Sequence, residues 1–227
     1  MKRIAGLLAL SALFAAFLEA QDQRVFIPSV GVEVGVPVTS MFTTYPITAL
    51  DYPVTYTPYS FAVPSYEVGP YAVFRLTSHF GFEVGALYRP GELAFEQPAN
   101  QFYEHAHFNS WQFPFLFQYR LNTRHVHPFV NVGAALRHFS GVQTTFYGPG
   151  VGTGVSLNSF PDTQNGSDFL RNWSSWGGVA GAGVEFRKGR LEFRPQVRYT
   201  RWWNQSFDGV GLTNNLNEVS VILGIGF

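Results

Sequence analysis

Trp111-Gln112-Phe113-Pro114-Phe115-Leu116-Phe117-Gln118-Tyr119-Arg120 is the stretch whose reading decides the fold. Its rings fall on alternate residues. Trp111, Phe113, Phe115, Phe117 and Tyr119 share one face of an extended chain, and Gln112, Pro114, Gln118 and Arg120 share the other, because successive side chains of a strand point to opposite faces. Ordinary soluble strands average about 5–6 residues, whereas a tilted strand that crosses a membrane needs about 9–11.

Seven more segments repeat the pattern. Val30, Val32, Val34, Val36 and Val38 oppose Ser29, Gly31, Glu33 and Gly35; Val68, Ala72, Phe74 and Leu76 oppose Glu67, Gly69, Tyr71 and Arg75. Phe80, Phe82, Val84, Ala86 and Tyr88 oppose Gly81, Glu83, Gly85 and Arg89; Val130, Val132, Ala134 and Leu136 oppose Asn131, Gly133, Ala135 and Arg137. Ala180, Ala182, Val184 and Phe186 oppose Gly181, Gly183 and Glu185, with glycines blurring the register of this sixth segment. Leu191, Phe193, Val197 and Tyr199 oppose Glu192, Arg194, Gln196 and Arg198; Val219, Val221, Leu223, Ile225 and Phe227 oppose Glu218, Ser220, Gly224 and Gly226. The polar face is small or charged and the apolar face bulky. That is inverted packing, the reverse of a soluble ligand-carrying barrel, and it predicts an all-β, eight-stranded antiparallel up-and-down transmembrane β-barrel.

The connections agree. Short turns at 77–79, 121–126 and 188–190 alternate with long loops at 39–65, 90–107, 138–174 and 202–216. Short turns on one side and long loops on the other, with an even strand count, place both chain ends on the periplasmic side. Tyr88, Trp111, Tyr119, Trp176, Tyr199 and Trp202 fall near strand ends, where amphipathic rings suit the headgroup level.

Composition points the same way. Of 227 residues, 13% are charged and 17% aromatic, with 23 glycines and a formal net charge of zero. A soluble domain carries about 25% charged residues, and zero net charge gives no reason to expect nucleic acid as a partner. The absence of cysteine excludes disulfides, Cys-zinc sites, a Cys nucleophile and a lipoprotein anchor. Residues 1–20 read as a signal peptide, with Lys2 and Arg3, an apolar run over Ile4–Leu18 and a small residue at Ala20. About 15 apolar residues are too few for a spanning helix of about 20. Residues 21–227 are then the barrel domain.

The segment at 111–120, Pro128–Arg137, and the hairpin from Gly181-Ala182-Gly183-Val184-Glu185-Phe186 to Pro195–Trp202 resemble those of the small bacterial outer-membrane β-barrel family of the OmpA/OmpX-like kind. The resemblance implies location in the bacterial outer membrane, no shared catalytic residues and no cofactor. It implies outer-membrane lipid and the outer-membrane assembly machinery as partners, with the terminal Phe227 as the aromatic that the machinery reads. The chain stops at its last strand, so no periplasmic peptidoglycan-binding domain is expected.

Eight strands enclose a lumen just wide enough for side chains to fill. Glu33, Glu67, Glu83, Glu185, Glu192 and Glu218 face it with Arg75, Arg89, Arg120, Arg137, Arg194 and Arg198. These charges read as an ion-pair network that plugs the barrel, or as a gated narrow channel or small-solute binder.

Chemistry is sparse elsewhere. His138-Phe139-Ser140 resembles the His-x-Ser of lipid A deacylases, in which Ser attacks an ester and His is the base. Gly141 stands where Asn usually follows, and the first acid downstream is Asp162. His105 and His107, with Glu104 beside them, could share a metal, but the stretch reads as a solvated loop and no metal site is expected. His125 and His127 read as turn residues. There is no phosphate loop, GxSxG or HExxH. Tyr45, Tyr52, Tyr56 and Tyr59 in the first loop are candidate contacts for a surface ligand, since Tyr gives contact area at low entropy cost. The expected function is a non-enzymatic outer-membrane barrel, structural or adhesive, with its long loops as the interaction surface.

Overall fold

The computed structural model describes residues 28–45, 47–48, 55–56, 59–62, 66–97, 102–123, 126–147, 162–165, 170–209 and 211–227. Residues 1–20, read above as a signal peptide, and Tyr52 lie outside them.

Eight antiparallel strands form a closed barrel. They are β1 (Ser29–Pro37), β2 (Glu67–Arg75), β3 (Phe80–Gly85, resuming as Leu87–Gln97 after Ala86), β4 (Phe102–Arg120), β5 (Val126–Tyr147), β6 (Ser174–Lys188), β7 (Leu191–Trp202) and β8 (Asn217–Gly226). Each pairs with its sequence neighbour, and β8 returns to β1 in the register Gly31↔Gly226 to Pro37↔Ser220. The seam is tight. A Cβ on Gly31 would lie 2.1 Å from the Ile225 carbonyl oxygen, so this position takes only glycine without moving the wall.

The outward face of the lower wall is apolar. Val32, Phe117, Val132, Val197 and Val221 are each about half exposed, with Phe80 and Phe227 at the short-turn rim. Inward lie the charged residues, together with Val73, Leu87, Leu116, Phe129 and Ile222.

Three expectations are corrected. First, 90–97, 102–107 and the start of 138–174 are strand rather than loop. The β3–β4 hairpin pairs out to Gln97↔Phe102, and β5 runs to Tyr147 across an irregularity between Ser140 and Gln143, where Gly141 has φ +59°. The 22 residues of β5 span roughly 70 Å along the strand at about 3.3 Å each, about twice what a band some 25 Å tall requires of a tilted strand. Second, Trp202 does not join the outward girdle. It shares parity with Arg198 and Thr200 and is buried in the lumen, while Trp203 faces out at 63% exposure. Third, short strands lie within the predicted first and last long loops. Phe42–Thr44 pairs with Leu212–Asn214, and Tyr59–Ala62 pairs with β3.

The side-chain pattern inverts along the extension. Above Tyr88 and Trp111, Leu93, Ala106, Phe108, Phe139 and Val142 point inward, and Glu92, His105, His107 and Gln143 point outward. Below that level the polar residues are inside. The same two-residue period thus obeys membrane rules on one side of the girdle and water rules on the other.

Candidate functional site

The lumen is filled by three tiers of charge. At the short-turn mouth, Arg75 Nη2 lies 2.6 Å from Glu192 Oε2 and 3.3 Å from Glu185 Oε1, Arg120 Nη1 2.9 Å from Glu185 Oε1, and Arg187 Nη2 2.9 Å from Glu192 Oε2. A cavity of about 430 Å³ opens there, lined in part by Arg75, Arg187, Arg190 and Glu192.

The middle tier is fully buried. Glu83 accepts from Arg194 and Arg198 at 2.8 Å each, one to each oxygen. Arg198 also reaches Glu33 at 3.3 Å, and Gln196 Nε2 donates to Glu33 at 2.9 Å while accepting from Asn131. The Arg194 guanidinium lies 4.9 Å from the Phe129 ring centre and 5.3 Å from that of Tyr71. Charges so deep need opposite charges and further hydrogen bonds to be tolerated at all, and the planar guanidinium serves several acceptors at once.

In the upper tier, Glu218 gathers Gln112 at 2.8 Å, Trp202 Nε1 at 3.1 Å, Arg137 at 3.5 Å and Arg89 at 3.9 Å. Arg137 stacks 4.1 Å from the Trp202 ring centre, a cation over the ring's negative face. Glu67 is buried at the same end of β2. The parity of the strands therefore brings Glu33, Glu67, Arg75, Glu83, Arg120, Arg137, Glu185, Glu192, Arg194 and Arg198 into one column.

Above the charges sits an apolar cap that the sequence reading did not find. Met41, Phe42, Leu93, Phe108, Phe139, Val142, Phe207 and Leu212 are at most 3% exposed. Phe207 meets Phe42, Phe108 and Phe139 with ring centres 5.3, 5.3 and 5.0 Å apart, within the range of favourable aromatic pairs. Asn214 Oδ1 accepts from the backbone amides of Ser206 and Phe207 and holds that connection inward.

On the outer face, His138 Nδ1 lies 2.9 Å from Ser174 Oγ on β6. The structure brings His138 to Ser174 rather than to Ser140, whose register partner is Asn109. His105 and His107 sit on β4, not in a loop. Their Nδ1 atoms lie 3.3 and 3.9 Å from the two oxygens of Glu92 across the hairpin. Among the described residues no group of three or more ligating side chains is placed to hold a metal ion. Tyr45 is exposed and its hydroxyl donates to the Gly209 carbonyl oxygen at 3.1 Å. Tyr56 and Tyr59 belong to short strands, Thr55–Tyr56 and Tyr59–Ala62. Phe227 is bound through its backbone to Val30, and its ring faces out.

A family model described as outer membrane protein beta-barrel domain matches residues 20–208. No curated protein sequence matches the chain. Among solved structures, the outer membrane protein OprG from Pseudomonas aeruginosa is similar at 16% identity, covering 88% of this chain and 93% of its own, with a TM-score of 0.53. Two looser likenesses are Ail, the attachment invasion locus protein of Yersinia pestis (11% identity, 88% and 96% covered, TM-score 0.39), and the outer membrane protein AlkL (13%, 88% and 88%, TM-score 0.45). At 16% identity the likeness to OprG is one of fold alone.

Proposed function

The chain belongs to the outer membrane protein β-barrel domain family and resides in the bacterial outer membrane, and on that footing we propose that it is a non-enzymatic, non-conducting barrel of the OmpA/OmpX-like kind, structural or adhesive in role. One observation carries this reading. The lumen is occupied along its length by ion-paired side chains and closed above them by a packed aromatic cap, which favours a plugged barrel over a solute path. The extension beyond the girdle is the interaction surface. Its core is apolar and its outer face polar, so it stands in water as a rigid platform for the long connections. Export by a leader over residues 1–20, and recognition of Phe227 by the assembly machinery, belong to the same reading. The esterase alternative at His138 and Ser140 gains no support, because the imidazole nitrogen that meets a hydroxyl meets that of Ser174.

The adhesive role is tested on whole cells. Non-adherent Gram-negative cells displaying the barrel are expected to be retained on an immobilised panel of glycans and proteins. Cells displaying a version with residues 148–161 replaced by a four-residue turn are expected to lose that retention. Equal retention of both would contradict the adhesive role.

A further inference from the structure

Eight arginines lie on the described strands: Arg75, Arg89, Arg120, Arg137, Arg187, Arg194, Arg198 and Arg201. The first seven have lumen parity. Arg201 alone turns outward, on β7 between Tyr199 and Trp203. Ten residues separate it from Leu191 at the short-turn end, which at about 3.3 Å per residue and a tilt of about 40° puts it roughly 25 Å higher, at the far margin of the apolar band. Among the described residues no carboxylate lies within ion-pairing distance of it. Its Nη1 donates to Asn217 Oδ1 at 2.7 Å. Asn217 also accepts from the Tyr199 hydroxyl at 2.8 Å, and its backbone amide is tied to Asn215. The guanidinium is thus oriented by neutral partners and keeps its charge for something outside the protein.

The surface beside it is hollow. Gly178 is Arg201's register partner on β6, and a Cβ there would meet nothing within 4 Å. Ala134 lies opposite Gly178 on β5. Trp176 and Trp203 rise on the mouth side, joined by the Trp203 amide donating to the Trp176 carbonyl oxygen at 2.9 Å. Toward the short-turn end, Ala180 and Ala182 run between Val132 and Val130 on one side and Tyr199 and Val197 on the other.

We infer that Arg201, with Trp176, Trp203, Tyr199 and the notch over Gly178, binds the phosphate-bearing headgroup of an outer-leaflet glycolipid. The arginine fork takes the phosphate. The indole rings, amphipathic and at headgroup depth, face the sugar. An acyl chain descends over Gly178, Ala180 and Ala182. The charge complementarity and the depth select this occupant. The site rests on the family's placement of the barrel in the outer membrane.

The test uses the folded barrel in neutral detergent, stripped of lipid and titrated with diphosphoryl lipid A, with bound lipid counted by native mass spectrometry. Wild type is expected to retain the lipid, and Arg201→Gln to weaken it about tenfold to a hundredfold, the range for losing hydrogen bonds to a charged group. Gly178→Leu fills the notch while keeping the charge, and is expected to weaken binding as well. Both positions lie on the outer surface, so both variants are expected to keep the wild-type difference between boiled and unboiled migration. Wild-type affinity in either variant overturns the inference. So does equal retention of the same lipid without its phosphates. Competition by millimolar inorganic pyrophosphate would reassign the site to free phosphate and overturn the lipid assignment. If wild type shows no heat-dependent migration, the membrane placement falls first and the site falls with it.

Discussion

Glu83→Ala is expected to destabilise the folded barrel by about 3–5 kcal/mol, the cost of leaving buried charges without their partner. Glu83 is fully buried, and its two oxygens each take one guanidinium at 2.8 Å. Among the described residues, removing it leaves Glu192, at 3.6 Å, as the remaining ion pair of Arg194, and Glu33, at 3.3 and 3.4 Å, as that of Arg198. Neither arginine can move to water without crossing another tier. The check is the urea concentration at which the heat-modifiable folded band disappears. Glu83→Gln keeps the volume and removes the charge, so a loss in both variants assigns the effect to charge rather than to a cavity. A change below about 1 kcal/mol in both, the level of an exposed ion pair, would contradict the network as described.

Phe207→Ala is expected to cost about 3–5 kcal/mol, the range for deleting a buried ring whose surroundings cannot collapse. Phe207 has no exposed surface and touches three other rings. It stands on the connection between β7 and β8, fixed by the hydrogen bonds that its own backbone amide and that of Ser206 donate to Asn214 Oδ1. The effect should be local. Amide hydrogen exchange should rise in Phe42–Thr44, in Leu212–Asn214 and in the upper parts of β3 to β5. The wall around the charged tiers should keep its protection, because none of their ion pairs involves the cap. Uniform loss of protection would show instead that cap and barrel unfold as one unit.

These two layers differ in how plainly the sequence carried them. The closed barrel was legible because period-two alternation over eight segments leaves little freedom. Once Val32 and Phe117 face outward, Glu33 and Gln118 must face the lumen. Parity also explains the misplacement of Trp202. Trp203 follows it directly, and proximity to a strand end does not say which of two adjacent indoles looks outward. Counting forward from Arg198 by twos puts Trp202 inside. The extension was missed for a different reason. Residues 90–94 and 105–108 still alternate, but with Glu92, His105 and His107 outward and Leu93, Ala106 and Phe108 inward, so polar residues on the outer face read as a loop. The sign of the alternation changes where the solvent changes from lipid to water, and nothing in a single sequence fixes that height except the rings at Tyr88, Trp111 and Trp176.

The cap was harder still. Met41, Phe42, Phe207 and Leu212 come from two connections more than 160 residues apart, and their meeting depends on the pairing of Phe42–Thr44 with Leu212–Asn214. Local pattern carries no information about such a contact. The Glu92 partner of His105 and His107 was hidden in the same way. Glu104 is adjacent in sequence, but Glu92 arrives across the hairpin from β3.

The central claim is that the barrel crosses the membrane with its lumen closed. Current through a planar lipid bilayer holding the purified barrel tests it most directly. The account predicts a silent bilayer with wild type in 1 M salt, with folded insertion verified by heat-modifiable migration of the recovered protein. Discrete, reproducible steps of current from that folded wild type would contradict it, and would mean that the tiers around Glu83 and Glu218 and the ring cluster around Phe207 leave a path for ions.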